Sequence, residues 1–340
     1  MKTFSVLLSM AAATFGLVST PLMANELNVY SARKANLIEP LLDRFSEQTG
    51  VKVKLITGKD DALIKRLQVE GKASPADILI TVDAGRLHRA KSQDLLQSVE
   101  SSVLNGAVPA YLRDEDKQWF GISMRARPIF YVKGKVDPAT LSSYEDLADP
   151  KWAGKVCIRS SSNIYNQSLV GSMIADAGVE KTEQWAKAFV KNFARSPAGG
   201  DTDQLRAAAA GVCDIAIANT YYFGRLTKST KAEDKAVADK LAIFWPNQTD
   251  RGTHVNVSGI AMTKSAKNTQ NAQRLMEFLV SNESQAWYAS VNNEYPVVAD
   301  GATDSVLTAW GDFKRDDLNL SELGKNNRAA VELMDRAGWK

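Results

Sequence analysis

The sequence predicts an α/β protein of two lobes, each a doubly wound, mainly parallel sheet flanked by helices. Three observations carry this. Residues 27–30 read as a strand, 37–45 place apolar side chains at helical spacing, and 51–56 alternate as a second strand, which together make a βαβ unit. Residues 76–82 are almost continuously apolar, as expected of a strand covered by helices on both faces. The same grammar then recurs: strands at 126–132, 156–158 and 214–218 are interleaved with helical patterns at 169–175 and 185–193. A chain of 340 residues is long enough for two such units.

Each element has its own warrant. A helix is expected from Asp61 through Leu67, and a late strand and helix at 255–262 and 270–280. Open parallel sheets bind ligands beyond the carboxyl ends of their strands, so the loops after Tyr30, Ile56 and Val82 are expected to face a cleft. Gly199-Gly200 marks a loop, and the charged stretch 228–240 is a solvated face.

The N-terminus carries Lys2, an apolar run over 4–18 and then Ser19-Thr20-Pro21-Leu22-Met23-Ala24 before polar Asn25. This is the layout of a secretory signal over 1–24, with cleavage expected after Ala24 and a free, soluble mature protein. No Cys follows the apolar run to take a lipid, and no later stretch approaches the roughly 20 apolar residues of a membrane helix. Loss of Lys2 takes the formal charge from +3 to +2, and no basic stripe with interleaved aromatics is present, so nucleic acid is not an expected partner. The only two cysteines, Cys157 and Cys213, read in an oxidising compartment as one disulfide, with two buried free thiols as the alternative.

Several chemistries are disfavoured. There is no Gly-rich dinucleotide loop after the first strand, no phosphate loop ending Gly-Lys-Ser/Thr and no Gly-x-Ser-x-Gly elbow. His88 and His254 are the only histidines, too few for a zinc site built on imidazoles. His88 is expected at the surface, and His254 in a structural place or behind the site's ligands, where a crossing segment could meet the cleft. The unusual feature is tyrosine in small, polar settings. Tyr221-Tyr222 follows directly on the strand that ends near Ala218, and Tyr165 follows Ser160-Ser161-Ser162-Asn163, a strong helix-start context. Adjacent tyrosines converge on one ligand only from a turn or a first helical turn. Three phenolates would supply hard anionic oxygens summing to −3, a match for Fe³⁺ rather than for softer divalent metals. Ordinary packing, or stacking on a sugar or amino acid, are the alternatives for the bare pair.

At these residues the sequence closely resembles the periplasmic ferric-ion-binding proteins of bacterial ABC importers, a family of two-lobed solute-binding proteins. The resemblance lies in residues 27–33, in Gly121-Ile122-Ser123-Met124-Arg125-Ala126-Arg127, in residues 159–168, in Asn219-Thr220-Tyr221-Tyr222 and in residues 251–259. It implies the two-lobed periplasmic-binding-protein fold with its ligand in the interlobe cleft. The first lobe is expected to comprise 25–122 plus about 250–300, the second 123–249 plus about 301–340. It implies Tyr165, Tyr221 and Tyr222 as iron ligands and Arg125 as partner of a phenolate or bound anion. Arg225, three residues past Tyr222, is a second partner at helical spacing, with surface solvation as the alternative. Arg127 is assigned a structural place.

The chain departs from many relatives just after the first strand, where Lys34-Ala35 replaces His and Tyr. A small anion, carbonate first, is therefore expected to complete the iron shell, with Lys34 adding positive charge. Asp60 and Asp61 are assigned to the start of a helix rather than to the metal. The resemblance implies a non-catalytic monomer in the periplasm that delivers iron to an inner-membrane permease. Two alternatives remain: an organic or oxyanion ligand held by Arg33, Arg125 and residues 160–162, and an iron-tyrosinate enzyme.

Overall fold

The computed structural model describes residues 26–340, so the expected signal segment and its cleavage site lie outside the described residues. Among the described residues, nine strands form two sheets. The first contains β1 (Glu26–Ser31), β2 (Lys52–Thr57), β3 (Ile78–Thr81), β4 (Phe120–Ala126) and β9 (Val255–Met262), in the order β2-β1-β3-β9-β4. The second contains β5 (Ile129–Val132), β6 (Val156–Cys157), β7 (Ile215–Ile217) and β8 (Leu241–Phe244), in the order β6-β7-β5-β8.

Both sheets are mixed where mainly parallel ones were expected. In the first, β1 pairs parallel with β2 and β3, but β9 lies antiparallel to both β3 and β4. In the second, β6 and β7 are parallel, and β5 is antiparallel to β7 and β8. The reason is the path of the chain. β4 leaves the first sheet and, after Arg127-Pro128, becomes β5 of the second; β9 makes the return journey. Each strand that enters from the other lobe points the opposite way to its new neighbours. What reads as one strand over 126–132 is thus the end of β4, a two-residue crossing and β5, and the expected boundary at 122/123 falls inside β4.

Burial follows the sheets. β3, β4 and β9 are buried along their whole lengths. A large core around Val29, Ile80, Phe120, Ile122 and Ile260 serves the first sheet, and two clusters around Ile129, Leu169 and Phe189 and around Phe130, Leu205 and Ala216 cover the faces of the second. The tail divides rather than joining the second lobe whole: Leu307, Leu320 and Leu323 pack in the first core, and Leu333, Met334 and Trp339 in the second.

Cys157 on β6 and Cys213 just before β7 form the expected disulfide, with Cα atoms 5.9 Å apart and a sequence separation of 56. Closing a loop of that length removes denatured-state entropy worth about 4 kcal/mol. Replacing both cysteines by Ala is expected to lower the unfolding free energy by roughly that amount in urea titration, with native secondary structure retained.

Candidate metal centre

The tyrosines are delivered by helix starts. Tyr165 is the second residue of the helix Ile164–Ala177, whose N-cap Asn163 accepts the Tyr165 N–H through Oδ1 at 3.2 Å. Tyr221 and Tyr222 lie in the first turn of the helix Thr220–Lys228, which β7 reaches through Ala218 and Asn219. The Tyr221 hydroxyl donates to the Tyr165 hydroxyl at 3.1 Å, and the Tyr221 and Tyr222 rings lie 4.3 Å apart. All three phenols border one cavity of about 200 Å³. Unpaired N–H groups at a helix start favour an anion, so two helix ends aim positive potential at phenols that could ionise.

Across the cavity stands the first lobe, with Ala32 and Arg33 after β1 and Val82 after β3. These two loops meet the expectation from strand direction. The loop after β2 does not border the cavity: Asp60 accepts the Val82 N–H at 3.0 Å from the first turn of the helix Asp60–Glu70, and Asp61 pairs with Arg86 and Arg89. Both acids keep the helix-start places read from the sequence.

Arg125, on the second-last position of β4, is only 2% exposed. Its Nη2 donates to the Val82 carbonyl and lies 3.7 Å from Asp83, its guanidinium stands 5.4 Å from the centre of the Tyr165 ring, and its Nη1 is buried without a protein partner. Arg225 covers the other phenols, 5.0 Å from the Tyr221 ring and 5.5 Å from that of Tyr222. Lys34 is exposed at the cavity rim. Burial pushes the Tyr165 and Tyr221 hydroxyls above the usual phenol range, and Tyr222 adds to both shifts while Arg125 opposes them. Without a cation these two phenols stay protonated and bond to each other.

The strand register does not separate Arg125 from Arg127, because positions two apart on a strand share a face. The separation arises because β4 stops at Ala126. Arg127 therefore turns into the second lobe, where it is 1% exposed and paired with Asp201 at 3.0 Å.

His88, expected at the surface, is half-buried in the helix Ala84–Ser92, close against Gly324. His254 is buried in the return crossing, where its carbonyl accepts the Arg127 N–H at 3.1 Å. Residues 160–162 bond among themselves, with the Ser162 N–H on Ser160 Oγ at 3.2 Å, and do not border the cavity.

The residue missed in the sequence is Glu294. It lies 6% exposed on the cavity wall, and its Oε2 accepts from Arg33 at 3.1 Å and from Ser123 at 2.8 Å. A lone acid in Val291-Asn292-Asn293-Glu294-Tyr295 carries no periodic or motif signal. Its approach depends on Gly224, between Tyr222 and Arg225. A Cβ there would stand 2.7 Å from the Cβ of Asn293, so the tyrosine helix and the Glu294 segment touch only because Gly224 has no side chain. Among the described residues, no three His, Cys, Asp or Glu side chains converge as a metal site.

Residues 41–315 match the family described as bacterial extracellular solute-binding protein. The chain belongs to that family. It is 49% identical over 324 residues to iron uptake protein A1 of Synechocystis, covering 95% of this chain and 90% of that protein. Among solved structures, the IdiA/FutA protein of Trichodesmium in complex with iron and citrate is 54% identical, with a TM-score of 0.90, covering 93% of this chain and all of that one. The ferric binding protein from Campylobacter jejuni is 42% identical with a TM-score of 0.88, covering 92% of this chain and all of that one. The family is described by solute binding, and the two-lobed α/β architecture read from the sequence is that of the matching solved structures.

Within this wall, Arg33 and Glu294 form a buried pair, and removing one partner strands the other charge away from water. Glu294→Ala is expected to lower the unfolding free energy by roughly 3 kcal/mol in urea titration. A loss under about 1 kcal/mol, the range of exposed pairs, would show that water relieves Arg33.

Proposed function

We propose that this protein captures ferric iron in the periplasm through the phenolates of Tyr165, Tyr221 and Tyr222 and delivers it to the permease of an ABC importer. The observation that carries the reading is the convergence of three phenols from two helix starts on one cavity, with two hydroxyls 3.1 Å apart. Three phenolates neutralise a trivalent cation and match its preference for hard oxygen. The printed names of the relatives, iron uptake and ferric binding, support the same cargo.

The protein's part is coordination and release, with no bond of a substrate made or broken. Lys34-Ala35 offers no ligand at the place where many relatives have His and Tyr, so phenols alone fill about half of an octahedral shell. A small anion, carbonate in the first instance, completes it. The free Nη1 of Arg125 is a permanently charged donor at the cavity, and Arg225 and Lys34 add positive charge around it. Hinge motion about the crossings opens the cleft to load and unload. The exported chain works as a monomer.

Titrating the purified protein with ferric salt is expected to raise a visible tyrosinate-to-iron charge-transfer band that bicarbonate strengthens. Tyr221→Phe or Tyr222→Phe should abolish that band with circular dichroism unchanged, because each deletes one anionic donor and keeps the packed ring. A variant that binds ferric iron with an unaltered spectrum removes that tyrosine from the ligand set.

Acid should release the metal. Each phenol must lose a proton to bind, and burial raises the pKa of Tyr165 and Tyr221, so protons compete throughout the neutral range. Affinity is expected to fall as pH falls, by up to about three decades per pH unit with three phenols. Measured by competition with a chelator of known pH dependence, a flat profile between neutral and mildly acid pH rules out three phenolates.

A further inference from the structure

Three helices begin at one point behind the phenols: Ile164–Ala177 and Thr220–Lys228, which carry the tyrosines, and Asp201–Ala209, which carries none. We propose that Arg127 and Asp201 are positioning residues for iron capture, a buried hub that fixes the two tyrosine-bearing helix starts against each other and against the crossing. This rests on the ferric reading of the phenols and adds two residues that touch no iron.

The connections are direct. Arg127 Nη1 donates to Asp201 Oδ2 at 3.0 Å and to Asn219 Oδ1 at 2.8 Å, and its Nη2 donates to Asn166 Oδ1 at 2.7 Å. Asn166 is the residue after Tyr165, and Asn219 caps the helix of Tyr221 and Tyr222. One guanidinium thus spans two segments that are far apart in sequence. Asp201 closes the frame: its Oδ2 also accepts the Asn219 N–H at 2.8 Å, and its Oδ1 accepts from Arg159 at 3.4 Å. Arg159 in turn stands 5.8 Å from the Tyr165 ring centre, and its carbonyl accepts from Asn166 Nδ2 at 2.8 Å.

The hub is also tied to the hinge. The Arg127 N–H donates to the His254 carbonyl at 3.1 Å, and its carbonyl accepts the Tyr144 hydroxyl at 2.8 Å. Arg127, Asp201, Asn166 and Asn219 are all buried, so the frame is shielded from water and charge-assisted bonds hold its geometry, with Arg127 Nε and Asn219 Nδ2 left without a partner. A metal shell needs its donors held within about half an ångström, and partners behind the ligands supply that. The two helices meet otherwise through the Tyr165–Tyr221 hydroxyl bond, which metal binding must break.

The test uses the intact mature protein and ferric nitrilotriacetate in bicarbonate buffer. Asp201→Asn keeps the shape and removes the charge. It is expected to shift the charge-transfer band and weaken iron retention by at least about tenfold, and Asn166→Ala should do the same to a smaller degree. Asn192→Ala is the control for stability alone: its buried amide donates to the Leu147 and Asp149 carbonyls and touches neither helix start. It should lower the unfolding midpoint and leave the band in place. A folded Asp201→Asn with unchanged band and affinity, or Asn192→Ala moving the band as far, overturns the proposal. If Asp201→Asn does not fold, Asn166→Ala decides by the same criteria. A crystal structure of the iron-free variant gives a readout free of the metal: the Tyr165 and Tyr221 hydroxyls are expected to part beyond hydrogen-bond distance, and a separation still near 3.1 Å overturns the hub. Absence of any band in the unmutated protein would fell the ferric reading instead, with the hydroxyl separation still deciding on Arg127 and Asp201.

Discussion

The chain crosses between its two sheets and comes back, and the rest of the structure is arranged around that constraint. β4 runs out of the first sheet into β5 of the second, and β9 returns beside β4. A third segment joins them where Thr253 bridges to Arg315. A strand arriving from the other lobe must run against its neighbours, so each sheet holds one reversed strand, β9 in the first and β5 in the second. The ends of the other strands then face one another across the gap. Arg125 and Arg127, two residues apart at the crossing, are divided between the jobs this creates, the first facing the cavity and the second anchoring the second lobe.

The electrostatics follow from placing neutral groups where charge is to appear. Phenols are inexpensive to bury while protonated, and Tyr165 and Tyr221 satisfy each other by sharing a hydrogen bond. Around them the helix starts, Arg225 and Lys34 provide positive potential, and Arg125 adds to it from a position 3.7 Å from the buried Asp83. Arg33 is held by a carboxylate of the cavity wall itself, with Glu294 and Ser123 as its partners. A further charge, Asp83, is fully buried on the first lobe and accepts from Asn256 at 2.9 Å and from Ser168 of the Tyr165 helix at 3.0 Å. Burial raises its pKa and Arg125 opposes that shift. Asp83 thus joins the two lobes one turn beyond Tyr165.

Much of this was visible in the sequence, and the rest was hidden for physical reasons. Period-two and period-3.6 patterns found the strands around Val29, Ile80, Ile217 and Val257 and the helices between them. Those patterns carry no direction, so the reversed β5 and β9 and the end of β4 inside one apolar run were not legible. The three tyrosines stood out because small polar neighbours and a preceding strand marked them as helix starts, and the family resemblance named them. Asp60 and Asp61 were legible as helix-start acids by local chemistry alone. Glu294 and Asp201 were not, because what distinguishes each is a partner far away in sequence: Arg33 lies 261 residues from the former and Arg127 lies 74 from the latter.

Gly224 sets a mechanical limit. Its missing side chain lets the helix of Tyr221 and Tyr222 rest against Asn293, next to Glu294. Backbone against side chain leaves no room between them for even a single methyl group, so the residue at position 224 sets how near the two segments can lie. Any residue bearing a Cβ there would prop the jaws slightly apart. The spacing between the tyrosine helix and the wall that holds Glu294 therefore depends on an atom that is not there, at a position outside the lining of the cavity.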